Sequence, residues 1–225
     1  MRCGQLAHQE VRYVLRRDRD LRAEGHTLAS EMQHNGTLSL ARAAEVIRPV
    51  CDVLVEAHKE GIIHRDVKPE NIFLHTPKHG APVVKLIDFG VVAFLDDKGT
   101  GHFSGTIRYA APEQLEAKRA TSKTDIYAAG LVLYEMLAGA SPFEHRAHTD
   151  EGMVAAHLHE QPGHLSTVAP WVPRAVCDLV MSALDKDPTA RPDAARFCDA
   201  LGELARARTA TRDRAFESRK DTVLR

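Results

Sequence analysis

"HRDVKPEN", residues 64–71, is the stretch on which the reading of this chain turns. It places Asp66, Lys68 and Asn71 in one short run. Residues two apart in an extended segment share a face, so Asp66 and Lys68 can point the same way. Two β-rich runs follow, Asn71–Leu74 and Val83–Ile87, on either side of a His/Pro/Gly-rich connection. That pattern predicts a hairpin. Asp88 comes directly after the second run, in Asp88-Phe89-Gly90, and the hairpin returns it beside Asn71. A carboxylate and an amide oxygen there make a hard-oxygen site that suits Mg²⁺ and leaves room for water and phosphate.

Phosphoryl transfer asks for these groups. One carboxylate orients the attacking hydroxyl or accepts its proton, a metal neutralises the phosphates, and a cation sits near the charge in motion. Asp66, Asn71 with Asp88, and Lys68 supply them in chain order.

More of the chain extends the pattern. Gly105-Thr106-Ile107-Arg108-Tyr109-Ala110-Ala111-Pro112-Glu113 follows a long polar segment from Asp96 to Thr106. Asp125-Ile126-Tyr127-Ala128-Ala129-Gly130 opens an apolar run, LYEMLAGASPF (133–143) closes it, and DKDPTARP spans 185–192. These motifs, with HRDVKPEN and DFG, resemble the protein kinase family in order and spacing. The resemblance runs from about residue 25 to about 205 and covers the larger, C-terminal lobe. Lys68 and Thr106 fit the serine/threonine branch, and the wording resembles the bacterial eukaryote-like kinases. Small-molecule phosphotransferases of the aminoglycoside or choline type share the Asp-to-Asn loop. They lack the Ala-Pro-Glu segment and a lysine at the position of Lys68.

The resemblance implies a protein kinase-like fold of the α+β family, here mainly α: a helical C-lobe with a short β-hairpin at the catalytic and metal loops. It implies Asp66 as catalytic base, Lys68 on the γ-phosphate, and Asn71 and Asp88 as ligands of Mg²⁺ with ATP. Thr106 is expected between Asp66 and Lys68. His64 and Phe89 are expected to stack in an internal apolar spine. Arg65 is expected to pair with a phosphorylated activation-segment residue, for which Thr100 and Ser104 are the candidates. Glu113 and Arg191 are expected as a buried ion pair, and Asp125 as a brace for the catalytic loop. Glu135 has two readings, a contact for basic residues near the phosphoacceptor or a plain helix-surface residue. The partner is a protein substrate.

In the family a smaller lobe precedes these motifs, with a glycine-rich loop, a strand lysine and a helix glutamate that together grip the nucleotide. Here the only glycines before Gly61 are Gly4, Gly25 and Gly36, no G-x-G-x-x-G occurs, and no lysine precedes Lys59. The expectation is a kinase lobe truncated at its N-terminus, with weak affinity of its own for Mg²⁺-ATP. A partner is then expected over the exposed surface that faces the missing lobe. The alternative is a catalytically inactive, pseudokinase-like binding lobe.

The chain has 225 residues, 44% hydrophobic and 27% charged, with a formal net charge of -1. This suits one globular domain and gives no sign of nucleic acid as a partner. No apolar stretch approaches the roughly 18 residues of a membrane span, and no signal-peptide run opens the chain, so the expected location is cytoplasmic. Cys3, Cys51, Cys177 and Cys198 are too scattered for a metal site and are expected as reduced, mostly buried thiols. The pairs His145/His148 and His157/His159 have no Cys or carboxylate cluster beside them and are expected on the surface.

Residues 1–24 read as an Arg-rich leader and 206–225 as a basic, frayed tail. Helical spacing predicts a helix over Ala41–Glu60 with an irregularity at Pro49. Further helices are expected over Thr124–Ala138 with a stop at Gly139, over Ala175–Leu184, and over Pro192–Ala207.

Overall fold

The computed structural model describes residues 25–76, 81–88, 93–94 and 106–206. The expected leader and most of the tail lie outside them, as do Phe89, Thr100 and Ser104. The described part is mostly helical with two small antiparallel sheets.

β1 (Gly25–Thr27) runs directly into α1 (Leu28–Asn35), where the Thr27 side chain accepts from Ser30 N as the N-cap. α2 (Leu40–Lys59) is capped by Ser39 and buries Leu40, Ala43, Val46, Ile47, Val50, Cys51 and Leu54, a stripe at helical spacing. The helix passes through Pro49 without a break. The expected irregularity is thus confined to the missing amide hydrogen. Arg42 ties α1 to α2 with two bonds to Glu31, at 2.8 and 2.9 Å.

β2 (Ile62–Ile63) leads to the loop of residues 64–71. β3 (Ile72–His75) and β4 (Val83–Leu86) form the expected hairpin, with Ile72 opposite Leu86 and Phe73 opposite Lys85. The sequence did not disclose that β1 adds a third strand along β3, Gly25 opposite His75. A Cβ at Gly25 would fall 2.3 Å from the Leu74 carbonyl oxygen, so this close pairing requires glycine. β5 (Ala93–Phe94) pairs with β2.

The short α3 (Pro112–Leu115) precedes α4 (Ser122–Ala138), the centre of the molecule. Thr121 caps α4, and its own N–H donates to Thr124 Oγ1 at 3.0 Å in return. Gly139, at φ +82°, stops the helix with its N–H on the Glu135 carbonyl. From Thr124 to Leu137 nearly every residue of α4 is buried, as befits a helix wrapped on all sides. α2 lies on one side of it and α7 on another, and at Gly130 the approach to α7 is close enough that a Cβ would meet Ala183 Cβ at 2.8 Å.

α5 (Asp150–His159) and the single-turn α6 (Leu165–Val168) were not predicted. α7 (Arg174–Ala183) matches its expectation within a residue. The last helix, α8 (194–206), begins two residues later than expected. Pro192 lies outside it, and the Asp193 side chain is the N-cap, accepting from Arg196 N at 2.8 Å. The core draws on α2, α4, α5, α7 and α8 together. No helix among the described residues is long and apolar enough to cross a membrane.

Candidate active site

The loop of residues 64–71 is held from below by one buried side chain. Asp125, in the first turn of α4, accepts from the backbone N–H of His64 (3.0 Å, Oδ2) and of Arg65 (2.8 Å, Oδ1). His58, from the last turn of α2, donates Nε2–H to Oδ2 at 2.8 Å. Three donors thus converge on a carboxylate that is 1% exposed, and each fixes the loop or the helix leading to it. His58 was missed in the sequence, where nothing local marks a partner 67 residues away.

The next turn is strained. Arg65 has φ +68° and Asp88 φ +59°, both in the left-handed region. Such a residue costs of order 1–3 kcal/mol and persists only where its surroundings determine it. For Arg65 the determinants are Asp125 on its N–H and Gln114 Nε2, which donates to its carbonyl at 3.0 Å. His64 is fully buried. Its Nε2 donates to the Ile87 carbonyl (3.1 Å) and its Nδ1 accepts from Asp66 N (3.3 Å), which fixes the tautomer. Burial lowers its pKa and keeps the ring neutral, against the attraction of Asp125. The expected Phe89 stack lies outside the described residues.

Above this base the expected reactive groups come together. Lys68 Nζ lies 2.7 Å from Asp66 Oδ2 and donates to Thr106 Oγ1 at 2.9 Å. Thr106 therefore meets the pair through Lys68. Asn71 Nδ2 donates to the Asp66 carbonyl (2.8 Å) and to Asp66 Oδ2 (3.0 Å). With Nδ2 so committed, Oδ1 is the atom of Asn71 left for a metal. The Asn71 carbonyl accepts from Ile87 N at 2.8 Å, which sets Asp88 one residue past this bond and two past Leu86, the end of the paired strands. Asp88 is exposed, as a ligand to an incoming ion should be. The exposed Asp88 carboxylate and the Oδ1 of the buried Asn71 are hard oxygen donors that fit Mg²⁺, which keeps several waters and takes its other ligands from phosphate. No group of three or more His, Cys, Asp or Glu side chains forms a metal cluster among the described residues.

The Glu113–Arg191 pair is present and buried. Arg191 Nη1 and Nη2 donate to Glu113 Oε1 and Oε2 at 2.8 and 2.9 Å, with side-chain exposures of 0% and 5%. Thr124 Oγ1 also donates to Glu113, at 2.8 Å. The remaining guanidinium hydrogens reach the carbonyls of Asp185, Lys123 and Lys186. The guanidinium carbon sits 4.8 Å from the Tyr127 ring centroid.

Glu135 is not a free surface carboxylate. It accepts from Tyr109 Oη at 2.7 Å and from Arg108 Nη2 at 3.1 Å, and Arg108 also bonds Glu144. Burial, then Glu135, pushes the Tyr109 phenol well above its ordinary pKa. Arg108 and Tyr109 thus belong to the acidic corner below Thr106, and the sequence reading named neither for a role. His157 departs from its expected place: it is fully buried against Phe143, with Nδ1 3.0 Å from Tyr127 Oη.

Residues 21–200 match the protein kinase domain. The chain is 34% identical over 210 residues to the probable serine/threonine-protein kinase CE0033 of Corynebacterium efficiens, covering 89% of this chain and 31% of that protein. It is 37% identical over 185 residues to serine/threonine-protein kinase PknJ of Mycobacterium tuberculosis (81% and 30%). It is 38% identical over 161 residues to serine/threonine-protein kinase Pkn1 of Myxococcus xanthus (68% and 22%). The chain belongs to the protein kinase family. Its relatives place it in the bacterial eukaryote-like serine/threonine branch. It spans about a third or less of the length of these relatives.

Proposed function

We propose that this chain is the catalytic lobe of a serine/threonine protein kinase, which transfers the γ-phosphate of ATP to Ser or Thr hydroxyls of proteins. The observation that carries the reading is the convergence of Lys68, Thr106 and Asn71 on Asp66. Asp66 Oδ2 orients the acceptor hydroxyl and takes its proton. Lys68 holds Asp66 in place and offers a positive charge to the transferring phosphoryl group. Asn71 Oδ1 and the Asp88 carboxylate hold Mg²⁺, which supplies charge neutralisation at the phosphates. Arg65 has a buried Nε with no hydrogen-bond partner, and that orphaned donor supports its reading as the receiver of a phosphorylated activation-segment residue such as Thr100 or Ser104.

The 225 residues contain no glycine-rich phosphate loop and no lysine before Lys59. We infer that the grip on the nucleotide comes from residues outside this sequence, in a longer chain or in a partner protein. Titration calorimetry of the chain alone should find weak Mg²⁺-ATP binding, and micromolar affinity would overturn that inference. A fusion to the small lobe of a bacterial serine/threonine kinase should phosphorylate protein Ser/Thr residues. Asp66→Ala and Asp88→Ala should each abolish the transfer. A folded, ATP-binding fusion without activity would favour the alternative, a non-catalytic binding lobe. Activity retained in Asp66→Ala would remove the assigned base.

A further inference from the structure

Directly after Thr106 the chain makes a single 3-10 turn, Ile107–Tyr109, and its middle residue sets an arginine among carboxylates. Arg108 Nη2 donates to Glu135 Oε1 at 3.1 Å and also to Glu144 Oε2. Tyr109 Oη donates to the other Glu135 oxygen at 2.7 Å. Both oxygens of Glu135 are therefore engaged by the chain itself. Glu135 lies late in α4, and Glu144 opens the short turn Glu144–Arg146. That turn is anchored. Phe143 before it is buried and packs edge-on against His157, and Glu144 N donates to the Ser141 carbonyl at 3.1 Å. The Arg108 side chain is 29% exposed and that of Glu135 14%, so the less exposed carboxylate has a guanidinium for a partner in place of water. The corner is close to the reacting groups. Thr106 Oγ1 accepts from Lys68 Nζ, which lies 2.7 Å from Asp66 Oδ2, and Arg108 follows Thr106 by two residues. An extended peptide advances about 3.3 Å per residue, so one whose hydroxyl sits at Asp66 reaches the corner within a few residues.

We propose that Arg108 is a specificity-determining residue: it fills the Glu135–Glu144 corner where a basic side chain of a substrate would otherwise sit, and so removes the advantage of arginine or lysine near the acceptor hydroxyl. The inference rests on the kinase reading above. It decides between the two roles open to Glu135: the carboxylate does receive a basic residue, but that residue is the chain's own. Tyr109 already ties this turn to α4, so the link does not depend on Arg108. What Arg108 adds is the bridge from Glu135 to Glu144, and a planar guanidinium between two carboxylates is the fit that a substrate arginine would seek. An incoming guanidinium meets a like charge already in place. To enter, it must displace Arg108 from Glu135, and one charge-assisted bond is lost for the one gained. The exchange is close to neutral, so a basic residue at this position confers no preference. Without Arg108 the Glu135 carboxylate keeps Tyr109 on one oxygen and opens the other.

The test measures peptide binding to the full chain by fluorescence anisotropy. The labelled peptides carry one serine in an alanine–glycine frame. The parent has no arginine, and each of the others has a single arginine, placed in turn at the positions flanking the serine. Wild type should bind every arginine peptide within about twofold of the parent. Arg108→Ala should bind at least one of them about tenfold more tightly than the parent, the effect of one charge-assisted bond, and added salt should erase most of that gain. Glu135→Gln in the Arg108→Ala background should remove the gain. Glu144→Gln alone leaves Arg108 on Glu135 and should produce none. An Arg108 that merely braces the turn would instead weaken all peptides alike when removed. A wild-type preference for arginine beyond twofold overturns the proposal. So does the lack of an arginine-selective gain in Arg108→Ala, an absence of measurable binding included. Arg108→Gln, which fills much of the volume without the charge, is read in the same way if Arg108→Ala fails to fold. The kinase reading is judged separately, by phosphoryl transfer in the small-lobe fusion. An active fusion with no gain in Arg108→Ala removes this inference alone, and an inactive fusion with the gain leaves the corner's selectivity standing on a binding lobe.

Discussion

Arg191→Met tests how far one buried ion pair holds the Pro112–Leu115 turn to the core. Arg191 has five N–H donors, and the structure gives each an acceptor: both Glu113 oxygens and the carbonyls of Asp185, Lys123 and Lys186. Methionine fills part of the volume and supplies no donor. Glu113 is then left as a buried carboxylate with Thr124 Oγ1 as its remaining donor. Removing one partner of a buried pair costs about 3–5 kcal/mol, mostly the stranded charge. Against a total stability of roughly 5–15 kcal/mol this is a large loss. Urea unfolding of the full chain, followed by circular dichroism, should show it as a lowered midpoint at constant slope. Glu113→Gln/Arg191→Met removes the stranded charge as well. It should therefore be milder than the sum of its single variants by roughly 0.5–3 kcal/mol. A single variant within about 1 kcal/mol of wild type, or strict additivity in the cycle, would refute the reasoning.

Three further outcomes follow from the same geometry. Asp125→Asn replaces a carboxylate that accepts three donors with an amide that has one acceptor oxygen, so at least one buried N–H loses its partner; the urea midpoint should fall by about 1–3 kcal/mol equivalent, and an unchanged midpoint would contradict the bracing role. His157 has its pKa lowered from 6.5 to about 4, by burial first and then by the charge of Lys186. The unfolded chain therefore takes up this proton first as pH falls; the contribution is intact above about pH 6.5 and is lost progressively toward pH 4, by about 3 kcal/mol, and an equal acid slope in His157→Gln would count against it. Gly130→Ala gains about 0.5–1 kcal/mol of helix propensity and sets a methyl 2.8 Å from Ala183 Cβ, an overpacking penalty of about 1–3 kcal/mol; a net loss near 1 kcal/mol is expected, and a raised midpoint would show that α4 and α7 separate freely.

The sequence was legible where a local pattern reports a local structure. The β3–β4 hairpin, α2, α4 with its Gly139 stop, and α7 are of this kind. Spacing alone placed Asp66 near Lys68, and the family resemblance supplied Glu113 with Arg191. What escaped depends on contacts distant in sequence. β1 is three residues long, and only the sheet it joins makes it a strand. His157 reads as a surface histidine because no Cys or carboxylate cluster accompanies it; its surroundings are Tyr127, Phe143 and Lys186, from three other segments. Its Nε2 is buried without a hydrogen-bond partner, which no sequence pattern encodes. Pro192 misled for a different reason. Proline favours the first turn of a helix, but Asp193 is the better cap, and the cap fixed the start.

The 64–71 loop owes its shape to Asp125, Gln114 and His64. Asp125 positions the backbone of His64 and Arg65, Gln114 holds the Arg65 carbonyl, and His64 joins the loop to β4 through Ile87. Ile87 N then fixes the Asn71 carbonyl, and Asn71 fixes Asp66. Each link lies within the described residues, and none passes through a nucleotide. The left-handed Arg65 is therefore held by the lobe itself, and its strain of order 1–3 kcal/mol is already offset when the lobe folds. Preorganisation of this kind acts on the chemical step, because the donors need not move as charge develops. Elements that grip the nucleotide act on its affinity and its placement. Under the proposed kinase function, changes at Asp125 or Gln114 should then lower kcat more than they raise KM, and changes in the nucleotide grip should do the reverse.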